Sequence, residues 1–259
     1  IMPLFIRTSF SSPSEVLMNR GIILWPKGFN VEAYKYVLSH PILLPSYINT
    51  IYYAITGTAL GLFTMSMAAY AFMKKSFPGK NIFLFGIIFT MFFGGGMIPS
   101  YLNIKNLGLI NTRLVMILPG CITTWSIIIL RTGFKQVPAS LCESAYLDGA
   151  NDLTILFKIV LPLSKAVLAV IALYSIVGYW NSWFPALIYL RDRDKYPLQM
   201  VLREIVIVGR MDEITSKLAE EIVSNRRAAM KEVIKYATMV LTTGPIILVY
   251  PFLQKYLVL

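Results

Sequence analysis

The sequence is short of charged residues, histidine and cysteine. Charged side chains make up 14% of the 259 residues, whereas soluble domains carry about 25%. Hydrophobic residues make up 56%. Such a composition argues against a soluble domain and favours a single integral membrane domain over residues 1–259.

The rare residue types predict neither a disulfide framework nor a metal site. Cys121 and Cys142 lack the close spacing of disulfide or zinc motifs, and His40, the one histidine, is expected in a solvated loop. The sequence also lacks the G-x-x-x-x-G-K-[ST], H-E-x-x-H and G-x-S-x-G motifs. We therefore expect no catalytic residue, no metal ligand and no cofactor bound by this chain.

Basic residues are in excess, with a formal net charge of +11. Such an excess suggests nucleic acid in a soluble protein, but Lys and Arg also flank the cytoplasmic ends of membrane spans. No basic run with interleaved aromatic residues occurs, so we expect membrane lipid and no nucleic acid as a partner.

Long apolar runs predict the membrane spans. Each is near the length of about 20 residues that a bilayer requires, and they cover residues 51–73, 82–98, 114–130, 166–190 and 233–253. Residues 1–6 are expected to be the stump of an earlier span. The Gly57–Gly61 spacing predicts a close helix–helix approach, and Gly94–Gly96 predict a break or a close contact.

The connections between the spans predict an orientation. We place the turn at Lys74–Lys80 and the segment 131–165 in the cytoplasm, and residues 191–232 in an external loop. A count of all Lys and Arg opposes this assignment. The count supports it once the long segments 7–46 and 191–235 are set aside, because the rule applies to short loops.

One cytoplasmic segment, Glu143–Pro162, has the pattern of a helix–turn–helix. Helix-initiating residues precede Glu143, Gly149 suits a helix end, and Asn151 can cap a second helix. Apolar residues follow at helical spacing, and Pro162 is expected to end the second helix. The pattern predicts a structured loop with apolar side chains to bury and contains no catalytic group.

The spacing of this segment resembles the E-A-A–G–I-x-L-P signature of ABC importer permeases. Ser144 stands where Ala is usual, a change between small residues. Other stretches, including 25–29, 91–102, 107–112, 196–204 and 250–255, resemble the carbohydrate-uptake (maltose-type) branch and its LplC/YtcP-like subgroup. The resemblance implies an all-α, six-span integral membrane permease fold. The first span would be largely missing, and a coupling helix would lie between the fourth and fifth spans.

The resemblance also implies partners and a mode of action. A permease of this type is a multi-pass protein of the bacterial cell membrane that pairs with a second, homologous permease. Two cytoplasmic ATPase subunits bind ATP and Mg, and an extracellular lipoprotein delivers an oligosaccharide. Residues 138–162 would form the cytoplasmic coupling loop, with a short helix around Ala145–Asn151. The implied ATPase-coupling residues are Glu143, Ser144, Ala145, Tyr146, Leu147, Asp148, Gly149, Ala150, Asn151, Ile159, Leu161 and Pro162.

Aromatic rings and amides predict a path for the sugar, because sugars stack on rings and bind amides. The candidates are Asn49, Tyr52, Tyr53, Tyr174, Tyr179, Trp180, Asn181 and Trp183. Asn181 is the first choice, since an amide within the bilayer needs a partner. The alternative is that Trp and Tyr lie at membrane interfaces whatever the function. The 191–232 loop is expected either to dock the lipoprotein or to be a solvated loop.

Two other functions compete with an importer subunit. A membrane enzyme acting on a lipid-linked sugar would need an acid/base pair, and no predicted span holds two carboxylates. A passive channel would need no ATPase. The external excess of basic residues is compatible with an acidic oligosaccharide, with anionic lipid headgroups or with the docking partner, and the sequence does not decide between an acidic and a neutral sugar.

Overall fold

The computed structural model describes residues 2–12, 28–38, 41–74, 76–204, 233–234, 236–241, 243–245 and 247. These residues form helices and turns without any strand, which confirms the predicted all-α class. The α-helices are α1 (Met2–Ser9), α2 (Glu32–Leu38), α3 (Leu43–Met73), α4 (Lys80–Phe92), α5 (Met97–Asn106), α6 (Thr124–Phe134), α7 (Ala139–Leu147), α8 (Asp152–Ile155), α9 (Leu161–Leu163), α10 (Lys165–Trp180) and α11 (Phe184–Tyr189).

Shorter helical turns complete the described part. Arg113–Met116, Leu118–Gly120 and Arg193–Lys195 are 3₁₀ turns, and Leu156–Val160 is a π-turn. Residues 198–204 are also helical, as are 233–234, 236–241, 243–245 and 247. His40, residues 205–232 and most of the predicted span 233–253 lie outside the described residues.

Of the described helices, α3 alone is long and apolar enough to cross a membrane by itself. It begins at Leu43, earlier than the predicted span 51–73. Three bent pairs could each form one span, which brings the number to four by length and composition. One pair is α4 and α5, which meet at 117° around the predicted break, where Gly96 has a φ of 84°. Only glycine adopts such an angle readily with extended ψ.

The predicted span 166–190 is interrupted in the structure. Helix α10 ends at Trp180, Asn181 caps it, and α11 begins separately at Phe184. The described residues fall into two compact units, one made of those up to 50 together with those from 182 onwards, and the other of those within 51–181.

The second unit contains the predicted close approach at Gly57–Gly61. A Cβ atom on Gly57 would lie 2.3 Å from Cζ of Tyr179, and one on Gly61 would lie 2.6 Å from the carbonyl oxygen of Cys121. The Tyr179 hydroxyl donates to the Ile117 carbonyl at 2.9 Å. Because lipid tails are as apolar as helix side chains, such close packing is a main source of association between spans.

Candidate functional site

The predicted coupling loop, residues 138–162, is a helix–turn–helix, as the sequence predicts. Helix α7 runs from Ala139 to Leu147, and Gly149 follows with a φ of 80°. The Gly149 N–H donates to Tyr146 O at 3.0 Å, and the Ala150 N–H donates to Ala145 O at 2.9 Å. This pair of bonds is a Schellman motif, which ends a helix on a left-handed residue. The expected short helix is therefore present, but it covers Ala139–Leu147 rather than the region around Ala145–Asn151, because the chain reverses at Gly149.

The second arm of the coupling loop begins at Asn151. Its side-chain oxygen accepts a hydrogen bond from the Thr154 N–H at 2.8 Å and so caps α8. Pro162 does not end the second arm as expected. A π-turn precedes it, the helical path continues to Leu163, and the chain bends by 85° before α10. Proline in the first turn of a helix is tolerated, because that N–H has no partner in the helix.

One side of the coupling loop packs on a buried cluster shared with three long helices. The cluster includes Met65 of α3, Leu130 of α6 and Ile171 of α10, together with Ile155, Leu156 and Val160 of the loop. Four of the predicted coupling residues are partly buried against this cluster: Ala145, Ala150, Ile159 and Leu161. Burying apolar area stabilises the loop by about 25 cal/mol per Å², so these residues anchor it to the spans.

The other side of the coupling loop is exposed. Leu147 is 90% exposed, although it is a large apolar residue in the last turn of α7. Glu143, Ser144, Asp148, Gly149 and Pro162 are exposed as well. The Ser144 hydroxyl donates a hydrogen bond to the Leu141 carbonyl of the same helix. Because this bond stays within α7, a serine in place of the usual alanine does not alter the anchoring side of the loop. The predicted coupling residues thus divide into an anchoring set and an exposed set.

The ends of the coupling loop are held close together. A Cβ atom on Gly133, near the end of α6, would lie 2.8 Å from Cγ1 of Val167 in α10. Contacts this short exclude any larger residue at Gly133 without a shift of one helix. The loop is therefore closed at its base, and its two flanking helices share one contact.

A polar cluster joins the coupling loop to the end of α3. This Lys74 cluster consists of Tyr70, Lys74, Tyr146 and Asp152. Lys74 forms an ion pair with Asp152, and the Tyr146 hydroxyl donates to the same carboxylate. The Tyr70 hydroxyl lies 3.4 Å from Asp152 Oδ1. The Lys74 ammonium lies 5.1 Å and 5.6 Å from the ring centroids of Tyr70 and Tyr146, within the range of cation–π attraction.

The pKa values of the two charged groups reflect these contacts. Hydrogen bonds from Lys74 and Tyr146 lower the pKa of Asp152. Burial by itself would lower the pKa of Lys74, but its hydrogen bonds to Asp152 and Tyr146 outweigh burial and raise it. Asp152 and Lys74 therefore both stay charged at neutral pH, and the attraction weakens as the pH falls through the lowered pKa of Asp152 or rises through the raised pKa of Lys74.

The structure gives several candidates for the sugar path a packing role. Asn49 is buried, and its amide donates to the carbonyls of Asp194 and Tyr196 at 2.6 and 3.2 Å. Tyr179 fills the groove at Gly57, as described above. The other buried candidates are Tyr53 and Trp180.

The remaining candidates are more accessible. Tyr52 and Tyr174 are exposed, and Asn181 is the exposed cap of α10. Trp183 stacks with Arg203, whose guanidinium carbon lies 4.1 Å from the ring centroid. A role of these residues in sugar binding stays a prediction.

Sequence reasoning missed Tyr70, Lys74 and Asp152 as residues of this site. Tyr70 and Lys74 lie far from the coupling loop in the sequence. The position of Asp152, next to Asn151, indicates only a role in capping a helix. The available signal was a tyrosine and a lysine one helical turn apart at the end of a span. That signal does not identify the carboxylate that they contact.

Comparisons with known proteins agree with this architecture. Residues 77–258 match the family model described as "Binding-protein-dependent transport system inner membrane component". The chain is 40% identical over 256 residues to the polygalacturonan/rhamnogalacturonan transport system permease protein YtcP of Bacillus subtilis, covering 97% of this chain and 86% of that protein. It is 41% identical over 251 residues to Protein LplC of the same organism, covering 97% and 83%.

A solved structure is similar as well. The crystal structure of a bacterial ABC transporter involved in the import of the acidic polysaccharide alginate contains a chain that is 34% identical. It matches with a TM-score of 0.87 and covers 98% of this chain and 89% of that chain. Together with the family model, these similarities establish that the chain belongs to the binding-protein-dependent transport system inner membrane components, the permease subunits of ABC transporters.

Proposed function

We propose that this permease subunit translocates an acidic oligosaccharide and is driven by an ATPase that docks on the exposed side of the coupling loop. One observation carries the proposal. Leu147 projects into solvent from α7. Ala145 in the same helix, and Ala150 shortly after its end, are anchored on the buried cluster. Leu141 and Tyr146 of the same helix are exposed as well, and several exposed apolar side chains on one anchored element are typical of a protein interface.

Membership of the family implies partners in general terms: another permease, an ATPase and a substrate-binding protein, with this chain in the cytoplasmic membrane. We propose the finer composition of one second, homologous permease, two ATPase subunits and an extracellular binding lipoprotein. ATP and Mg would be bound by the ATPase. Glu143 would form a charge pair with the ATPase surface, since it is an exposed carboxylate on α7.

The acidic character of the substrate rests on the similar proteins and on charge. One relative is named for polygalacturonan, whose sugar units carry carboxylates, and the similar crystal structure is of an importer of an acidic polysaccharide. The basic excess of the predicted external segments is also compatible with an anionic substrate, because a positive potential raises the local concentration of anions.

Transport by the complete complex tests this proposal. In proteoliposomes with both permeases, the ATPase and the binding lipoprotein, we expect uptake of a labelled oligogalacturonate only with ATP. We expect an unlabelled acidic oligosaccharide to compete, and a neutral one of equal length not to. Uptake without the ATPase would contradict the proposal and indicate a channel. Turnover of a lipid-linked sugar by the chain alone would indicate an enzyme.

A further inference from the structure

The C-terminal end of α3 is fixed to two neighbouring helices by basic side chains. The Phe72 carbonyl accepts from Nε of Arg131 in α6 at 3.0 Å, and the Lys74 carbonyl accepts from Nζ of Lys80 in α4 at 3.0 Å. The last carbonyls of a helix have no partner within it and attract cations. Three helices are therefore joined at the point where α3 ends.

The Lys74 side chain extends this junction to the coupling loop. Its ion pair reaches Asp152, the first residue of α8. Tyr146, in the last turn of α7, donates to the same carboxylate. Both arms of the loop, on either side of the turn at Gly149, thus contact one carboxylate that is paired with the end of α3.

We propose that the Lys74 cluster transmits the movement of the coupling loop to α3, with Lys74 and Asp152 as positioning residues of the transport cycle. This inference rests on the proposed function, in which an ATPase displaces α7. The neighbour of Leu147 in the chain is Tyr146, so a force on the exposed side of α7 acts next to the hydroxyl that contacts Asp152. Through Asp152 and Lys74 the force reaches α3, and through Arg131 and Lys80 it reaches α6 and α4.

The cluster is suited to this role because it contributes little to folding. The Asp152 side chain is 54% exposed and the Lys74 side chain 23% exposed, and ion pairs that water can reach contribute little to stability. The buried cluster, which holds Ile155, Leu156 and Val160, keeps the coupling loop folded without it. Loss of the ion pair should therefore weaken the transmission of movement to α3 and leave the docking surface in place.

A double-mutant cycle in the complete transporter tests the inference. We compare Lys74→Met, Asp152→Asn and the double variant with Lys105→Met, which removes an exposed lysine of α5. The readouts are co-purification of the ATPase and sugar transported per ATP hydrolysed. We expect normal co-purification throughout. Each single variant should lose about fivefold in transport per ATP, a typical coupling between sites, and the double variant should lose no more.

Three results would overturn the inference. The single variants could transport as well as Lys105→Met, the losses could multiply in the double variant, or the ATPase could fail to co-purify. The last result would mean that the cluster only shapes the docking surface. Tyr146→Phe, which removes one hydroxyl, should give a smaller loss of the same kind, and the absence of any loss in this variant would be a fourth contradicting result. If the unmutated complex shows no ATP-driven uptake, the proposed function itself fails.

Discussion

Gly149→Val is expected to abolish uptake, whereas Gly149→Asn should retain most of it. Gly149 has a φ of 80°, and the left-handed region costs a non-glycine residue about 1–2 kcal/mol. A β-branched residue is a genuine outlier there, while asparagine enters it more readily. Among the described residues, no atom lies within 4 Å of a Cβ placed on Gly149. Backbone strain is therefore the main difference between the two variants.

ATP-driven uptake by whole cells measures this effect, with the amount of permease in the membrane as the control. Valine at position 149 would break the Schellman motif and redirect Leu147 and Asp148 away from the ATPase. Equal uptake by both variants would show that the left-handed turn is not needed. Equal loss by both would show that the ATPase contacts the glycine itself.

Gly57→Val is expected to prevent stable packing of the second unit. A Cβ on Gly57 would lie 2.3–2.6 Å from three atoms of the Tyr179 ring, and the ring is fixed by its hydrogen bond to Ile117. Overpacking of this kind costs about 1–3 kcal/mol or more. We expect a clear fall in the melting temperature of the purified complex in detergent and a loss of uptake.

Gly86→Val is the matched control for this prediction. Gly86 also lies inside a helix, α4, and no described atom is within 4 Å of a Cβ placed there. Both variants change helix propensity equally, so only the clash with Tyr179 distinguishes them. If Gly57→Val melts at the same temperature as Gly86→Val, the close approach in the structure is wrong.

The sequence predicted the local features of the coupling loop well. Gly149 as the turn and Asn151 as the cap follow from residue type, because few other residues fit those conformations. The bounds of α7 were less accurate. The signature placed a helix around Ala145–Asn151, but the carbonyl of Ala145 already belongs to the end of α7.

Contacts between distant segments could not be predicted from the sequence. The pairing of Lys74 with Asp152 depends on how α3 packs beside the loop, and many basic residues could have filled that position. Asn49 illustrates the same point for the sugar path. An amide near the start of a span suggests a ligand contact, yet the structure directs it to two backbone carbonyls, as buried amides require.

Photo-crosslinking at Leu147 tests the central claim most directly. A benzophenone-bearing residue in place of Leu147 should crosslink to the ATPase in the assembled transporter, because this side chain is 90% exposed on the proposed docking side. The matched control is Leu107, which is 62% exposed at the end of α5 and is expected outside the cytoplasm. We predict an ATPase adduct at position 147 and none at 107. An adduct at 107 with none at 147 would contradict the account.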